Sequence, residues 1–192
     1  QQVAELQGHA GKVVSLAITT DGKLLASAAH DFNVNLWSIQ TSYRNRQQGG
    51  GGGDDDDQQV LYPIATVVAH LGHVVDLQFA GPGQNYLASC SNDHQVKCWK
   101  VKGTKIQEAW SVKEAHSTVV ASICWGRGDT ADVVYSGGWD GDVKAWRNGK
   151  CIATMSAHTK RVYEVMANNQ GTLLLSAGAD LQCFIWDASE PY

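Results

Sequence analysis

Four histidines set the phase of this chain. His9, His70, His116 and His158 are each followed by an apolar run, a turn, a second run with a serine, then Asp and Trp. The His to Asp separations are 22, 23, 24 and 22 residues, ending at Asp31, Asp93, Asp140 and Asp180. A tryptophan lies six residues beyond each Asp (Trp37, Trp99, Trp146, Trp186), and a serine four before it (Ser27, Ser89, Ser136, Ser176). A fixed period of this size means stacked copies of one supersecondary unit, none able to bury its apolar surface alone. The units run from about 1 to 40, 60 to 101, 106 to 147 and 150 to 188, forming one repeat domain over residues 1–192.

Within a unit the segments are short, rich in Val, Ile, Leu and aromatics, and punctuated by turn formers such as Asp21-Gly22, Gly81-Pro82-Gly83 and Gln170-Gly171. That pattern predicts three antiparallel strands, with a fourth before each histidine at Val3 to Leu6, Ile64 to Val68, Ile106 to Val112 and Cys151 to Met155. The strands are apolar on both faces, and the second carries small residues such as Ala26 and Ala28 or Gly137 and Gly138. A sheet covered on one side would alternate more cleanly, so each small sheet is expected to pack between two neighbours.

A unit of roughly 40 to 45 residues with four strands resembles the WD40 repeat, and the resemblance covers nearly the whole chain. It implies an all-β, WD40-type β-propeller holding four four-stranded blades' worth of strands. The Gly-His dipeptide stands only at Gly8-His9 and the Trp-Asp dipeptide only at Trp186-Asp187. Asp, His, Ser and Trp nevertheless recur in all four units.

Ser, His and Asp together suggest nucleophilic catalysis. Hydrolysis needs one such constellation, however, and four equivalent copies are what every blade requires to exist. A buried indole N–H needs an acceptor, a hydroxyl can take that bond and pass one to an imidazole, and a carboxylate can hold the imidazole. This is the structural tetrad the resemblance implies, so no catalytic residue is assigned. The remaining histidines, His30, His73 and His94, lack zinc-ligand spacing, and Gly49 to Gly53 lacks the Gly-Lys-Ser/Thr of a phosphate loop. No metal or cofactor is implied.

The chain has 192 residues, 43% hydrophobic, with a formal net charge of -4, all of it attributable to the run Asp54 to Asp57. A neutral body without a Lys/Arg block is not built for nucleic acid or an anionic membrane. Five widely spaced cysteines, without a Cys-x-x-Cys pair or a visible export signal, point to a reducing, intracellular setting. The tract 41–59, rich in Gly, Asp and Gln, is expected to be a flexible insertion. The absence of an initiating Met suggests an excerpt of a longer polypeptide. Four blades are fewer than rings of this family commonly hold, so missing sequence or another chain is expected to complete a larger ring. In a closed ring the N-terminal strand would join the last blade.

Function in such a scaffold resides in loops on a rigid frame. The resemblance places partner contacts on the upper face, at the third and fifth residues after the repeat His and the residue before the Asp. Carried over, these are Lys12, Val14 and His30; His73, Val75 and Asn92; Val119, Ala121 and Trp139; Arg161, Tyr163 and Ala179. Trp139, Arg161 and Tyr163 are hot-spot residue types. Trp110 and Trp125 read as packing residues. The expected function is a non-catalytic scaffold binding protein or peptide partners, as part of a multi-subunit complex. The alternative is the substrate-recruiting segment of a larger enzyme such as a ubiquitin ligase.

Overall fold

A computed structural model describes residues 4–39, 59–83 and 85–189. The three apolar runs after each repeat histidine pair as an antiparallel meander. After a short strand β1 (Ala4–Leu6) come β2 (Val13–Ile18), β3 (Leu24–Ala29) and β4 (Asn33–Ser38). Beyond β5 (Gln59–Leu61), strand β6 (Ala65–Val68) completes the first sheet in the order β2-β3-β4-β6. The second sheet is β7 (Val74–Phe79), β8 (Tyr86–Ser91), β9 (Val96–Lys102) and β10 (Lys105–Val112). The third is β11 (Val120–Trp125), β12 (Val133–Gly138), β13 (Val143–Arg147) and β14 (Lys150–Met155). The fourth holds β15 (Val162–Ala167), β16 (Leu173–Gly178) and β17 (Cys183–Asp187) and has three strands. These are the blades of a propeller. Among the described residues no helix is long and apolar enough to cross a membrane.

The N-terminal strand does not join the last blade. It runs parallel to β5, with Ala4 opposite Gln59 and Leu6 opposite Leu61. The end of the polar insertion supplies the edge that β1 pairs with in place of β17, and Gln59, the last residue of the predicted flexible tract, lies in a strand. Residues 41–58 and Val3 lie outside the described residues.

Each blade has two unlike faces. One, here the leading face, carries the tetrad Trp and the alternate residues of the innermost strand; the trailing face carries small or β-branched residues. Ala26, Ala28, Val34 and Leu36 of blade 1 pack against Leu77, Phe79, Leu87 and Trp99 of blade 2. Ala88, Cys90, Val96 and Cys98 then meet Ile123, Trp125 and Trp146 of blade 3. Tyr135, Val143 and Ala145 meet Val162, Val165 and Leu174 of blade 4. Small residues opposite an indole let neighbouring sheets interdigitate at close packing. Trp125 is buried, and its indole donates to the Gln78 carbonyl at 3.0 Å; Trp110 packs on the same cluster, partly buried.

The innermost strands β2, β7, β11 and β15 surround a cleft of about 360 Å³. β2 and β15 face each other across it without packing, leaving Leu16, Ile18 and Met166 exposed. Among the described residues, Val13 and Leu16 on the leading face of blade 1 and Leu175 and Ile185 on the trailing face of blade 4 are exposed.

Candidate interaction surface

The upper rim is held by four hydrogen-bonded relays. The Trp indole N–H donates to the Ser hydroxyl at 2.8 Å (Trp37 to Ser27), 2.9 Å (Trp99 to Ser89), 2.8 Å (Trp146 to Ser136) and 2.9 Å (Trp186 to Ser176). The same hydroxyl meets the Nε2 of His9 at 2.7 Å, and of His70, His116 and His158 at 2.8 Å. Each Nδ1 faces a carboxylate, which can only accept, so the imidazole proton sits on Nδ1; the bare Nε2 of the neutral ring then accepts the hydroxyl proton, while the hydroxyl oxygen accepts from the indole. Each Nδ1 faces its carboxylate: Asp31 at 2.9 Å, Asp93 at 3.1 Å, Asp140 at 2.9 Å and Asp180 at 2.9 Å.

Each carboxylate also ties two loops. It accepts the N–H of the residue after the histidine, as from Ala10 at 2.8 Å and Thr159 at 3.0 Å, and the N–H two residues beyond itself, as from Asn33 at 3.1 Å. Burial raises the Asp93 carboxyl, but the bonds from His70, Leu71 and Gln95 outweigh it and hold it down at about 2. Asp31, Asp140 and Asp180 are lowered by the same balance. Burial lowers His116, against the opposing pull of Asp140.

The residue after each Asp adopts a left-handed backbone: Phe32 (φ 70°), His94 (φ 69°), Gly141 (φ 90°) and Leu181 (φ 68°). Three of the four are not glycine, so the Asp's hold on its own turn replaces the usual glycine signal.

The predicted contact positions meet for two structural reasons. In every blade the N–H of the residue before the Asp donates to the carbonyl of the third residue after the His: His30 to Lys12 (2.9 Å), Asn92 to His73 (3.0 Å), Trp139 to Val119 (2.9 Å) and Ala179 to Arg161 (2.8 Å). In every innermost strand the ladder also shifts between the fourth and sixth residues after the His, a bulge at Val14, Val75, Ala121 and Tyr163. A bulge re-aims the extra side chain out of the packed sheet face.

Neighbouring blades then pair these residues. The Arg161 guanidinium lies 4.3 Å from the centroid of Trp139, which is 38% exposed, and Tyr163 in the same blade is 51% exposed. Between blades 1 and 2, the His30 and His73 rings meet edge to face at 4.1 Å, with Phe32 at 5.7 Å from His73. Burial lowers His30, and the charges of His73 and Lys12 add to the effect. Lys12 and Asn92 are exposed without a ring contact, and Phe32 is an exposed rim residue that sequence reasoning passed over. Among the described residues no group of three or more His, Cys, Asp or Glu is placed to hold a metal.

A second polar row, missed in the sequence, runs along the axis at the sixth residue after each His: Ser15, Asp76, Ser122 and Glu164. Ser15 donates to Asp76 at 2.8 Å, and the next blade's strand donates back across each junction. Leu77 N–H reaches Ser15 Oγ at 3.4 Å, Ile123 N–H reaches Asp76 at 3.0 Å, and Val165 N–H reaches Ser122 Oγ at 3.2 Å. Burial keeps the Asp76 carboxyl raised despite these bonds. The position hides because four different residues fill it; only counting from the histidines reveals it.

A four-stranded blade closed by a Trp-Ser-His-Asp relay defines a class of propeller repeat, and comparison with known proteins places the chain in it. The model of the WD domain, G-beta repeat, matches residues 1–38, 61–100 and 149–187. The chain belongs to the WD40-repeat family. The third blade falls outside those matches yet carries the same relay at the same distances. The nuclear distribution protein PAC1 of Arthroderma benhamiae is 27% identical over 191 residues, 96% of this chain and 37% of that protein. The chain thus spans little more than a third of that relative's length. Among solved structures, the computationally designed Ika4 protein matches with a TM-score of 0.74 at 21% identity, covering 98% of this chain and 99% of that one. The designed Ika8 protein matches with a TM-score of 0.73 at 21% identity, covering 97% of this chain and 49% of that one.

Proposed function

We propose that this chain is a non-catalytic scaffold that binds protein or peptide partners through its upper face within a multi-subunit complex. The observation that carries the reading is the Trp139 and Arg161 pair. An indole and a guanidinium from adjacent blades stack at 4.3 Å while the indole stays accessible, beside the exposed Tyr163. Stacking fixes both side chains before a partner arrives, which lowers the entropy cost of binding, and Trp, Tyr and Arg dominate interface energetics. His30, His73, Asn92 and Lys12 supply the opposite rim. Kinship with WD-repeat proteins supports a scaffold role. The relay serines are buried and each is already bonded to an indole and an imidazole, which speaks against hydrolysis.

The test is affinity for peptides selected on the immobilised chain. Trp139→Ala and Arg161→Ala are each expected to weaken binding at least about tenfold, the loss of one hot-spot contact, with the melting temperature unchanged. Unaltered affinity in both variants would defeat the assignment. A serine-reactive probe is expected to label nothing.

A further inference from the structure

Two adjacent strands in the middle of the chain concentrate positive charge on one side of one blade. We propose that Lys100, Lys102 and Lys105, at the lower end of the junction between blades 2 and 3, form a second docking surface, for an extended acidic peptide segment of another protein.

The strip follows from strand register. Side chains alternate along a strand, so Lys100 and Lys102 of β9 share the trailing face with Val96 and Cys98, which pack against blade 3. On β10, Lys105 stands directly opposite Lys102 and Gln107 opposite Lys100, so both join that face. A bulge then divides β10: Glu108 lies opposite Trp99 on the leading face, whereas Trp110 lies opposite Cys98 on the trailing one. Tyr86 of β8 lies opposite Lys100, and both Tyr86 and Trp110 are only partly buried. From the other side Gly149, in the turn between β13 and β14, closes against Trp110 and gives the strip a wall. The lower trailing face of blade 2 thus sets three lysines beside two aromatic rings, and β9 and β10 place no carboxylate on it.

All three lysines are exposed, and among the described residues none of them is in an ion pair. The nearest carboxylates are engaged elsewhere: Glu108 with Lys97 at 3.3 Å and Asp132 of blade 3 with Arg147 at 2.8 Å. Strands β9 and β10 hold four lysines against one glutamate, in a chain whose formal net charge is -4. Like charges directly opposite one another, as Lys102 and Lys105 are, weaken a sheet. A repulsion left uncompensated inside the chain points to a counter-charge outside it. Lysines also guard edge strands against pairing, and β10 is an edge. Lys100 and Lys102, however, stand on β9, between two strands, where no guard is needed.

The partner's chemistry follows from the spacing. Cβ separations of about 5 Å across the strands and about 7 Å along one suit carboxylates on alternate residues of an extended peptide. The two rings offer its uncharged side chains an apolar floor. Ammonium groups serve scattered carboxylates, whereas a phosphate site favours the fork of an arginine, and Arg147 is already bonded to Asp132. Nucleic acid or an anionic membrane requires a broader basic field than three lysines in a chain of net negative charge.

The test is fluorescence anisotropy of a short labelled peptide of alternating Glu and Ala, compared with its Gln counterpart. The Glu peptide is expected to bind at least about tenfold more tightly at low salt, with the gap closing near about 0.5 M as screening shortens. Equal affinities at low salt overturn the proposal. Joint Lys100→Gln, Lys102→Gln and Lys105→Gln replacement is expected to weaken the Glu peptide at least about tenfold, while Arg at all three positions preserves binding. Full affinity in the Gln variant, or loss in a folded Arg variant, overturns it. Trp139→Ala is expected to leave this peptide unaffected, because the upper face lies at the other end of the blades. Loss in Trp139→Ala with full affinity in the Gln variant would assign the peptide to the upper face and end this proposal alone. Oligothymidine or phosphatidylserine vesicles bound as tightly as the Glu peptide, and lost with the same lysines, would overturn the peptide assignment. In the free chain Lys102→Gln is expected to raise the melting temperature at low salt; a fall would show that the repulsion is compensated internally and remove the reason for a partner.

Discussion

Replacing Ser89 with Ala removes one oxygen from the middle of the second relay. Ser89, His70 and Trp99 are all buried between blades 1 and 3, out of reach of water. The change leaves two groups unbonded: the Trp99 indole N–H, which donated at 2.9 Å, and the His70 Nε2, which accepted at 2.8 Å. An orphaned buried group costs about 1 to 3 kcal/mol, and partial relaxation keeps the pair below the full sum, so the expected loss is about 3 kcal/mol. For a chain of this size 1 kcal/mol moves the melting temperature by about 2–4 °C, giving a drop of about 6–12 °C. Ser176→Ala makes the same deletion in blade 4, where Trp186 is only half-buried and water can reach the freed indole. It is expected to cost about 1 kcal/mol. Urea and thermal melts of both variants measure the difference. A loss below about 0.5 kcal/mol for Ser89→Ala, or a larger loss for Ser176→Ala, would refute the reasoning.

The relay carboxylates make stability fall with acid. Asp93 titrates at about 2 in the fold against 3.8 ordinarily, so its contribution is complete above pH 4 and disappears as pH falls toward 2. Allowing for solvent screening it amounts to roughly 1 kcal/mol, and Asp93→Asn should flatten the urea midpoint between pH 5 and 3; an unchanged slope would count against it. Lowered His116 acts in the same direction, stabilising above its ordinary 6.5 and withdrawing that support as pH drops. Leu181 is exposed at φ 68°, so Leu181→Asn is expected to raise stability by about 0.5–1 kcal/mol by relieving left-handed strain; a lower melting temperature would show the strain is absent. Gly171→Ala should cost well over the roughly 1 kcal/mol of Gly83→Ala, although both sit at φ 76°. Its Cβ would run into the Arg127 carbonyl, whereas that of Gly83 meets open space, and equal losses would contradict the packing. Cys90, Cys98 and Cys124 are buried, and burial pushes Cys98 and Cys124 up to about 12, so none should react with iodoacetamide before unfolding.

What could be read from residues alone was what repeats. Ser, His, Asp and Trp recur at fixed spacing amid apolar runs, and the resemblance to the WD40 repeat implied that they form a buried relay whose polar groups must be bonded. Small residues on the second strand signalled a sheet packed on both faces. The rest lay where the repeat breaks or where its chemistry varies. The pairing of β1 with Gln59–Leu61 depends on the end of a polar tract with no strand pattern. The turns at Phe32, His94 and Leu181 carry no glycine, because the preceding Asp bonds its own backbone. The axial row of Ser15, Asp76, Ser122 and Glu164 changes residue in every blade. At the rim, the positions followed from the resemblance, but the stacking of Arg161 on Trp139 and the edge-to-face contact of His30 with His73 depend on how far one blade turns from the next, which no spacing encodes.

The account rests on four relays locked in one hydrogen-bonded state, and nitrogen-15 NMR of the imidazoles reads that state directly. His9, His70, His116 and His158 are expected to show a proton held on Nδ1 and a bare Nε2 at neutral pH, while His30, His73 and His94 differ from them. Four relay rings protonated on Nε2, or exchanging freely between the two forms, would mean that the serines do not bridge indole to imidazole and that something else builds the blades.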